Sequence, residues 1–324
     1  MITKLQSQHY DAIVIGARCA GASTALQLAR RGARVLLIDR AARGSDTLST
    51  HALMAGGVQQ LSRWGLLDRI ARSGAPPIRS TTFHYGQDSV KVDIKAKRDF
   101  DALYAPRRTV LDEMLVTAAE EAGVEVHHQV ELVSLNEPQA QKVRGVVLRD
   151  TTRKLHTPSC DLVVGADGLR SRVAKLTGAR TYRTGKNSAA CIYGYYSGLG
   201  FEGYQWCYGE GCSAGVIPTN DGLSCVFVGM PHDDFHSSFR SDLKGAFRHL
   251  LLRAGPALVR HFKRNTGLHR QREAAWHDPV QRLCPLTTSQ HQDTQGTARA
   301  SRRCVCHPAD SAGHRITGDF AGGR

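Results

Sequence analysis

The sequence predicts an α/β fold with two domains, and three stretches of the 324-residue chain carry that prediction. Residues 11–40 read as a strand, a glycine turn, a helix and a second strand. Residues 160–171 repeat the pattern of an apolar strand that runs into a turn of glycine and aspartate. Residues 189–228 contain short aromatic strands separated by glycines, which is typical of an antiparallel sheet. We therefore expect a parallel sheet with packed helices, and a second sheet.

The first stretch has the pattern of a βαβ unit that binds a dinucleotide. Residues 12–15 are apolar, too few for a helix and rich in β-branched side chains, so they predict a buried strand. Gly16 and Gly21 enclose a turn that opens a helical pattern. A second strand over residues 34–38 follows and ends at Asp39, which completes the unit.

The residue types in this turn suit the binding of a pyrophosphate. Gly16 permits the tight turn, Gly21 lets the helix lie close to the strand, and the N–H groups at the helix start face the anion. Asp39 lies 23 residues after Gly16, near the offset of about 20 residues at which a carboxylate accepts hydrogen bonds from ribose hydroxyls. Arg18 replaces the middle glycine of the usual G-x-G-x-x-G pattern. The alternative is a βαβ unit that binds no nucleotide.

Charge and composition restrict the class of protein. The chain has 43 basic and 29 acidic residues, a net charge of +14, but its arginines are spread without a dense basic block. We therefore expect a basic surface that attracts anionic cofactors, and no nucleic-acid partner. No run of about 18 apolar residues and no export signal is present, which predicts a cytoplasmic protein without a transmembrane segment. The nine cysteines are too scattered for a disulfide scaffold, and no metal site is expected.

The remaining elements follow from hydrophobic periodicity and from the positions of glycine and proline. Helices are predicted at about residues 58–70, 107–123 and 237–252. Strands are predicted at residues 80–85, 89–94, 124–127, 130–135, 143–148, 189–196, 204–208, 213–217 and 223–228. Beyond residue 266 lysine is absent and apolar runs are short, so this segment cannot bury much surface. We expect residues 266–324 to form a poorly ordered or aberrant tail.

Four motifs resemble those of a known group of flavoproteins. They are the GARCAGA turn at residues 16–22, the SDTLSTH loop at 45–51, Arg108-x-x-Leu111-Asp112, and the Gly-Ala-Asp-Gly turn at 165–168. Over roughly residues 8–265 the chain resembles the FAD-dependent monooxygenases and geranylgeranyl-reductase-like flavoproteins of the para-hydroxybenzoate-hydroxylase fold type.

This resemblance implies a fold and a set of domain limits. It implies a Rossmann-like FAD-binding domain with an interleaved substrate domain built on an antiparallel sheet. The FAD-binding domain would comprise residues 8–78 and 107–182, and the substrate domain residues 79–106 and 183–265. The atypical tail at 266–324 would follow.

The resemblance also implies which residues contact FAD. The implied contacts are Gly16, Arg18, Cys19, Ala20, Gly21, Asp39, Arg40, Arg108, Val130, Asp167, Gly168 and Asp310. The residues of the glycine turn would cradle the pyrophosphate, Asp39 would hold the adenosine ribose, and Arg40 would lie against the adenine. The Val130 backbone would contact the adenine. Arg108 would reach the pyrophosphate or the ribityl chain, a task that its permanent charge suits.

Several of these positions have a second interpretation. Arg108 lies four residues before Asp112 on one predicted helix, so the two side chains could pair with each other instead. Asp167 would lie near the pyrophosphate, or would cap the helix that begins at Leu169. His51 is either a surface-loop histidine or a catalytic acid–base, and no catalytic residue is assigned.

The sequence departs from this group at the third fingerprint, where Gly-Asp-Ala follows an apolar strand. The nearest stretch is residues 306–314, in which Asp310 stands for the acid near the ribityl chain and Ala309 replaces the glycine. The preceding strand is not apolar, and the chain stops at Arg324, before the helix that would follow. We expect from this a truncated or frame-shifted C-terminus.

The function implied by the resemblance is that of an FAD-dependent oxidoreductase. We expect a monooxygenase that uses NAD(P)H and oxygen on an apolar or aromatic substrate, with the flavin supplying the redox chemistry. Aromatic residues of the antiparallel sheet would line the substrate side or pack in the core: Tyr193, Tyr195, Tyr196, Trp206 and Tyr208. The alternatives are an FAD-dependent reductase of isoprenoid or lipid double bonds, and a truncated, non-catalytic FAD-binding protein.

Overall fold

The computed structural model describes residues 8–47, 52–136, 143–181 and 188–265, with two further strands at Cys284–Thr287 and Cys304–Cys306. The chain divides into two compact units. The first contains the described residues of Met1–Thr47, Thr109–Thr184 and His291–Ala309, and the second those of Leu48–Arg108 and Gly185–Gln290. Each unit contains one sheet.

Residues 52–78 belong to the second unit, whereas the sequence pattern placed them in the FAD-binding domain. Hydrogen bonds within the second unit account for the difference. The Leu53 N–H donates to the Tyr104 carbonyl at 2.9 Å, and Asn220 Nδ2 donates to the Ser73 carbonyl at 2.8 Å. Such long-range bonds are invisible in a local pattern. The domain limits read from the sequence stay a prediction.

Strands and helices occur in both units and are numbered here in chain order. The described strands are β1 (His9–Ile15), β2 (Val35–Asp39), β3 (Ser80–Tyr85), β4 (Asp88–Asp93), β5 (Glu125–His128), β6 (Glu131–Asn136), β7 (Gly145–Arg149), β8 (Leu155–His156), β9 (Ser159–Gly165), β10 (Ser188–Ser197), β11 (Tyr204–Gly209), β12 (Cys212–Pro218), β13 (Leu223–Pro231), β14 (Cys284–Thr287) and β15 (Cys304–Cys306). The described helices are α1 (Cys19–Ala29), α2 (Ala55–Arg63), α3 (Leu67–Ala71), α4 (Arg108–Glu121), α5 (Arg172–Leu176), α6 (His232–Asp234), α7 (Leu243–Ala254) and α8 (Pro256–Asn265).

The sheet of the first unit is parallel at its centre, as the βαβ pattern predicted. The strands β5, β2, β1 and β9 lie side by side and parallel, and β6, β7 and β8 extend the sheet as antiparallel neighbours. β15 pairs in parallel with β9. Ile13, Leu36 and Val163 are completely buried in the central strands, because a parallel sheet is covered on both faces. The prediction of an α/β fold with a Rossmann-like unit is confirmed.

The carboxyl ends of the central strands meet at one edge of this sheet. Ile15 of β1 lies beside Ile38 of β2 on one side and beside Gly165 of β9 on the other. The turns that follow these three strands are therefore neighbours in space. In open parallel sheets, ligands bind outside this edge. The fold thus brings together the glycine turn, the acid after β2 and the Gly/Asp turn after β9.

The sheet of the second unit is antiparallel, as predicted, with one exception. Its strand order is β14-β10-β13-β12-β11-β3-β4, and the β3–β11 pair is parallel. These two strands are far apart in the chain, so no hairpin forces them to be antiparallel. Helix α7 covers one face, where Phe247 and Leu250 are buried in one apolar cluster with Val226 and Val228.

Two predicted helices are broken in the structure. The helix predicted at 58–70 is split into α2 and α3, because Gly65 between them adopts a left-handed φ of +71°. The helix predicted at 237–252 is interrupted before α7, whose first turn is capped by the Asp242 carboxylate. Helix α8 was not predicted, although Pro256 suits the first position of a helix. None of the described helices has the length and apolar character required to cross a bilayer.

Two cysteine thiols should resist alkylation while the protein is folded. Burial raises the pKa of Cys160 and of Cys207 to about 12 each, so both stay protonated well above neutral pH. Since the thiolate is the reactive form, iodoacetamide at about pH 8 should leave both unlabelled in native protein and label both in urea. Peptide mass spectrometry reads each site separately. Rapid labelling of either thiol in native protein would contradict the described packing.

Candidate functional site

The glycine turn after β1 is built on contacts between backbone atoms. Gly16 adopts φ +107°, and a Cβ added to it would lie 2.4 Å from the Ala166 carbonyl oxygen. A Cβ added to Gly21 would lie 1.7 Å from the Gly16 carbonyl oxygen. The Gly16 N–H donates to the Ile38 carbonyl at 2.7 Å. No side chain fits at either glycine, so the start of α1 lies directly against β1 and the turn after β9.

Helix α1 presents its N-terminal turn at this edge of the sheet. Arg18, the residue before the helix, has extended φ and ψ of −94° and −171°, and its side chain makes no capping hydrogen bond. The first helical bond runs from the Ala22 N–H to the Arg18 carbonyl at 2.8 Å. The N–H groups of Cys19, Ala20 and Gly21 precede it, where a helix has no acceptors of its own and carries partial positive charge. This geometry fits a diphosphate.

Asp39 links the end of β2 to the glycine turn and to the loop that follows β2. The side chain is buried, and its Oδ2 accepts from the Ala17 N–H at 2.8 Å while Oδ1 accepts from the Ala41 N–H at 2.7 Å. The Val130 N–H donates to the Asp39 carbonyl at 2.9 Å. A carboxylate can accept about four hydrogen bonds. Two backbone N–H groups use two of these positions, and the other two suit ribose hydroxyls. The predicted contacts of Asp39 with ribose and of the Val130 backbone with adenine stay predictions.

A half-buried histidine, His128, lies beside this carboxylate, and the sequence did not indicate it. In the register of β2 and β5, His128 lies opposite Asp39, and in-register residues of parallel strands point to the same face. Both ring nitrogens of His128 are inaccessible to solvent, and among the described residues neither has a hydrogen-bond partner. Unsatisfied buried polar atoms of this kind are rare and suit a site that receives a polar ligand. No pattern in the sequence distinguishes this histidine from His127.

The turn after β9 packs its backbone against Gly16, and the side chain of Asp167 in this turn caps a helix. Asp167 accepts from Ser171 Oγ at 2.6 Å, and from the N–H groups of Arg172 and Val173 at 2.6 and 3.2 Å. The capped helix therefore begins at Arg172 and not at Leu169. Capping is thus what the Asp167 carboxylate does in this structure. The contact of Asp167 and Gly168 with pyrophosphate stays a prediction.

The side chain of Arg18 binds a loop and a second helix. Its guanidinium donates to the Ser45 carbonyl, to Ser45 Oγ at 2.8 Å, and to Asp112 Oδ2 at 3.1 Å. The Cys19 thiol donates to Asp112 Oδ1 at 3.1 Å. Any role of Arg18 in the pyrophosphate cradle would therefore fall to its backbone in this arrangement. The sequence offered one signal, because Asp112 lies on the apolar stripe of α4 with Val116 and needs a partner there.

The loop after β2 has a second tie to α4. Arg43 donates to both oxygens of Glu113, at 2.8 and 3.1 Å, and to both oxygens of Glu120, at 2.7 and 2.9 Å. The planar guanidinium suits two bidentate contacts of this kind, and the two carboxylates raise the pKa of Arg43. These contacts join residues that lie 70 and 77 positions apart, so no local pattern in the sequence indicates them.

The remaining predicted positions lie at the margins of the site. Arg40 is exposed after β2, and Arg108 is partly buried and begins α4. Asp310 and His51 lie outside the described residues. The strand before Asp310 is described, and Cys306 of β15 lies beside Gly165 of β9. The predicted FAD contacts of all these residues stay predictions.

The aromatic residues of the second sheet divide between its two faces. Tyr193 and Tyr195 are buried with their rings 6.2 Å apart, and Trp206 lies 5.5 Å from Phe227. Tyr196 stacks on Phe247 of α7, so the rings named from the sequence do not share one face, and their place on the substrate side stays a prediction. Side chains alternate along a strand, so Tyr195 and Tyr196 cannot share a face.

A side chain in the glycine turn should abolish FAD binding. Gly16→Val and Gly21→Ala each place a Cβ against backbone carbonyls, which cannot move without shifting the turn. Gly56→Ala is the matched control, because its added Cβ meets nothing within 4 Å. Equilibrium dialysis against FAD, with circular dichroism to verify folding, should show binding in the control alone. Full FAD binding by Gly16→Val would contradict the site.

Removal of the Asp39 carboxylate should weaken FAD binding at least about tenfold, since a charge-assisted hydrogen bond contributes roughly 1.5–3 kcal/mol. Asp11→Ala is the control. Asp11 also accepts from a backbone N–H, that of Arg34 at 2.7 Å, but at the amino end of β1, far along the strand from the glycine turn. Fluorescence titration of FAD should separate Asp39→Ala from both wild type and Asp11→Ala. Equal affinities would refute the ribose contact.

Comparisons with known proteins agree with this geometry. The family model described as FAD binding domain matches residues 9–192, more than half of the chain. The chain is 29% identical over 168 residues to the FAD-dependent monooxygenase OpS4 of Beauveria bassiana, covering 49% of this chain and 37% of that protein. It is 26% identical over 238 residues to digeranylgeranylglycerophospholipid reductase 2 of Methanothermobacter thermautotrophicus, covering 68% and 57%.

The fold also matches solved structures. PqsL from Pseudomonas aeruginosa superimposes with a TM-score of 0.64 at 16% identity, over 92% of this chain and 78% of that one, which shows a shared fold. The chain spans between 18% and 57% of the length of the curated relatives it matches. The resemblance to FAD-dependent monooxygenases and geranylgeranyl-reductase-like flavoproteins is confirmed, and the chain belongs to the FAD binding domain family.

Proposed function

We propose that this chain is an FAD-dependent monooxygenase that uses NAD(P)H and oxygen on an apolar or aromatic substrate. The observation that carries the proposal is the backbone cradle at the carboxyl edge of the parallel sheet. There Gly16 and Gly21 leave no room for side chains, and the N-terminal turn of α1 provides N–H donors. The proposal is supported by the similarity to OpS4, whose name describes a FAD-dependent monooxygenase.

The chain's own residues would bind and orient the cofactor. The N–H groups of Cys19, Ala20 and Gly21 would hold the diphosphate, and Asp39 would accept from the adenosine ribose. The side chain of Arg40 and the Val130 backbone would lie at the adenine. When bound, FAD supplies the redox chemistry between the pyridine nucleotide, oxygen and substrate.

Three more contacts are proposed toward the flavin end. Arg108 would bind the pyrophosphate or the ribityl chain through its permanent charge. The backbone at Asp167 and Gly168 would lie near the pyrophosphate, since it neighbours Gly16. Asp310 would stand near the ribityl chain. No catalytic base is assigned.

The second unit would provide the substrate side. Tyr193, Tyr195, Trp206 and Phe227 place their rings in close pairs on its sheet. Aromatic surfaces of this kind favour apolar and aromatic ligands through burial and edge contacts. Core packing would account for the same rings, so a bound substrate is needed to separate the two.

A second candidate is a reductase of isoprenoid or lipid double bonds. It is favoured by the match to digeranylgeranylglycerophospholipid reductase 2, which covers 68% of the chain. The two reactions share the cofactor and differ in the electron acceptor. A monooxygenase passes electrons to oxygen, whereas a reductase passes them to the double bond of its substrate.

Purified protein should display the visible absorption of bound flavin and should consume oxygen when NADH or NADPH is added. Oxygen uptake and pyridine-nucleotide oxidation are measured together, with Gly16→Val as the flavin-free control. Absence of oxygen uptake, with anaerobic reduction of a geranylgeranyl lipid, would establish the reductase instead. Bound flavin that NAD(P)H never reduces would indicate a non-catalytic FAD-binding protein. Failure to bind FAD after reconstitution would overturn the nucleotide assignment.

A further inference from the structure

Arg18 occupies the position of the middle glycine of the dinucleotide fingerprint, and its side chain joins three segments. The backbone of Arg18 belongs to the glycine turn. Its guanidinium binds the carbonyl and the hydroxyl of Ser45 in the loop after β2, and the carboxylate of Asp112 in α4. These contacts span 27 and 94 residues of the chain, so they connect parts that local structure does not.

The Arg18–Asp112 pair is shielded from solvent. The side chain of Asp112 is 6% exposed and that of Arg18 is 26% exposed. A carboxylate this buried needs a counter-ion and hydrogen bonds, and Arg18 and the Cys19 thiol supply them. Removing Arg18 would take away a counter-ion of this buried negative charge beside the start of α1. That charge would oppose the approach of a diphosphate.

Several contacts hold the described part of the loop after β2, and Arg18 makes those at Ser45. Ala41 is bound by the Asp39 carboxylate, and Arg43 is bound by two carboxylates of α4. Ser45 is bound by Arg18, which connects the loop to the glycine turn through a side chain of the turn, whereas the Asp39 carboxylate connects the two through the Ala17 N–H. The Ser45 hydroxyl also donates to the Ala42 carbonyl at 2.7 Å, which tightens the loop locally.

We infer that Arg18 is a positioning residue, with Asp112 as its counter-ion, that fixes the Ser45 loop against the start of α1 and so preforms the turn that receives the FAD diphosphate. The guanidinium does not itself bind the diphosphate. This inference rests on the proposed FAD binding and adds a role for the arginine that replaces glycine. A preformed turn binds more tightly because its ordering cost is already met in the free protein.

The rival role is a direct contact between Arg18 and the diphosphate. The two roles make opposite predictions for Asp112→Asn. If Arg18 binds the diphosphate, removal of a competing carboxylate frees the guanidinium and lowers the negative charge, so affinity rises. If Arg18 positions the loop, the same substitution loosens its anchor and affinity falls.

The experiment measures the affinity of the apo-protein for FAD and for ADP, which carries the adenosine and diphosphate without the flavin. We expect Arg18→Gln and Asp112→Asn each to weaken both ligands at least about tenfold, the scale of one lost charge-assisted hydrogen bond. The double variant should bind FAD and ADP almost as tightly as the single variant of lower affinity. Both substitutions break the same Arg18–Asp112 interaction, so their effects should not add. Amide hydrogen exchange at Ser45 and Thr47, measured without ligand, should speed up in both single variants.

Matched controls separate this effect from general loss of an ion pair. Arg79→Gln removes an exposed arginine that donates to Asp101 at 2.7 Å in the second unit, and it should change neither affinity nor exchange. Arg18→Lys keeps the charge but loses the planar fork that reaches Ser45 and Asp112 together, so it should give intermediate affinity. Circular dichroism verifies the fold, and Arg18→Lys serves as the readout if Arg18→Gln does not fold.

The possible failures are distinguishable. Tighter or unchanged ADP binding by Asp112→Asn, with unchanged exchange at Ser45, would overturn the positioning role while FAD binding by the wild type stands. Wild-type protein that binds neither FAD nor ADP would overturn the proposed function and this inference with it.

Discussion

The close approach of three backbone segments is the constraint on which the first unit depends. Gly21 of α1 packs on the Gly16 carbonyl, and Gly16 packs on Ala166 after β9, at distances where no Cβ fits. These contacts set the height of α1 over the sheet and aim its first turn past the strand ends. They are also the reason that a helix terminus, whose first N–H donors have no acceptor within the helix, lies at the edge where three strand ends meet.

The charges around this turn are arranged in pairs that leave the helix terminus to the ligand. Asp39 is satisfied by backbone N–H groups, Asp112 by Arg18 and Cys19, and Arg43 by two glutamates. Because these carboxylates have partners, a diphosphate at this turn would contact N–H dipoles without facing an unpaired negative charge. The high proportion of basic residues acts at longer range, by attracting anions to the whole surface.

The predictions from the sequence agree with the structure where they depend on interactions between residues close together in the chain. Residues 12–15 and Asp39 were identified from local apolar and glycine patterns, and the structure places β1 and the end of β2 there. The breaks at Gly65 and before α7 were missed because each depends on a single residue's conformation or cap. Tyr196 lies on the opposite face of β10 from Tyr195, as alternation along a strand requires.

The sequence by itself determined the class of fold, the βαβ unit and the two glycines at its turn, because hydrophobic periodicity and the steric demands of glycine act over a few residues. Only the tertiary structure decided what the charged residues of the site contact. Arg18 could have faced a phosphate, and pairing with Asp112 was the second of two interpretations of Arg108. The fold brought Arg18 to Asp112 across 94 residues, since a buried carboxylate takes a cation that packing places within reach.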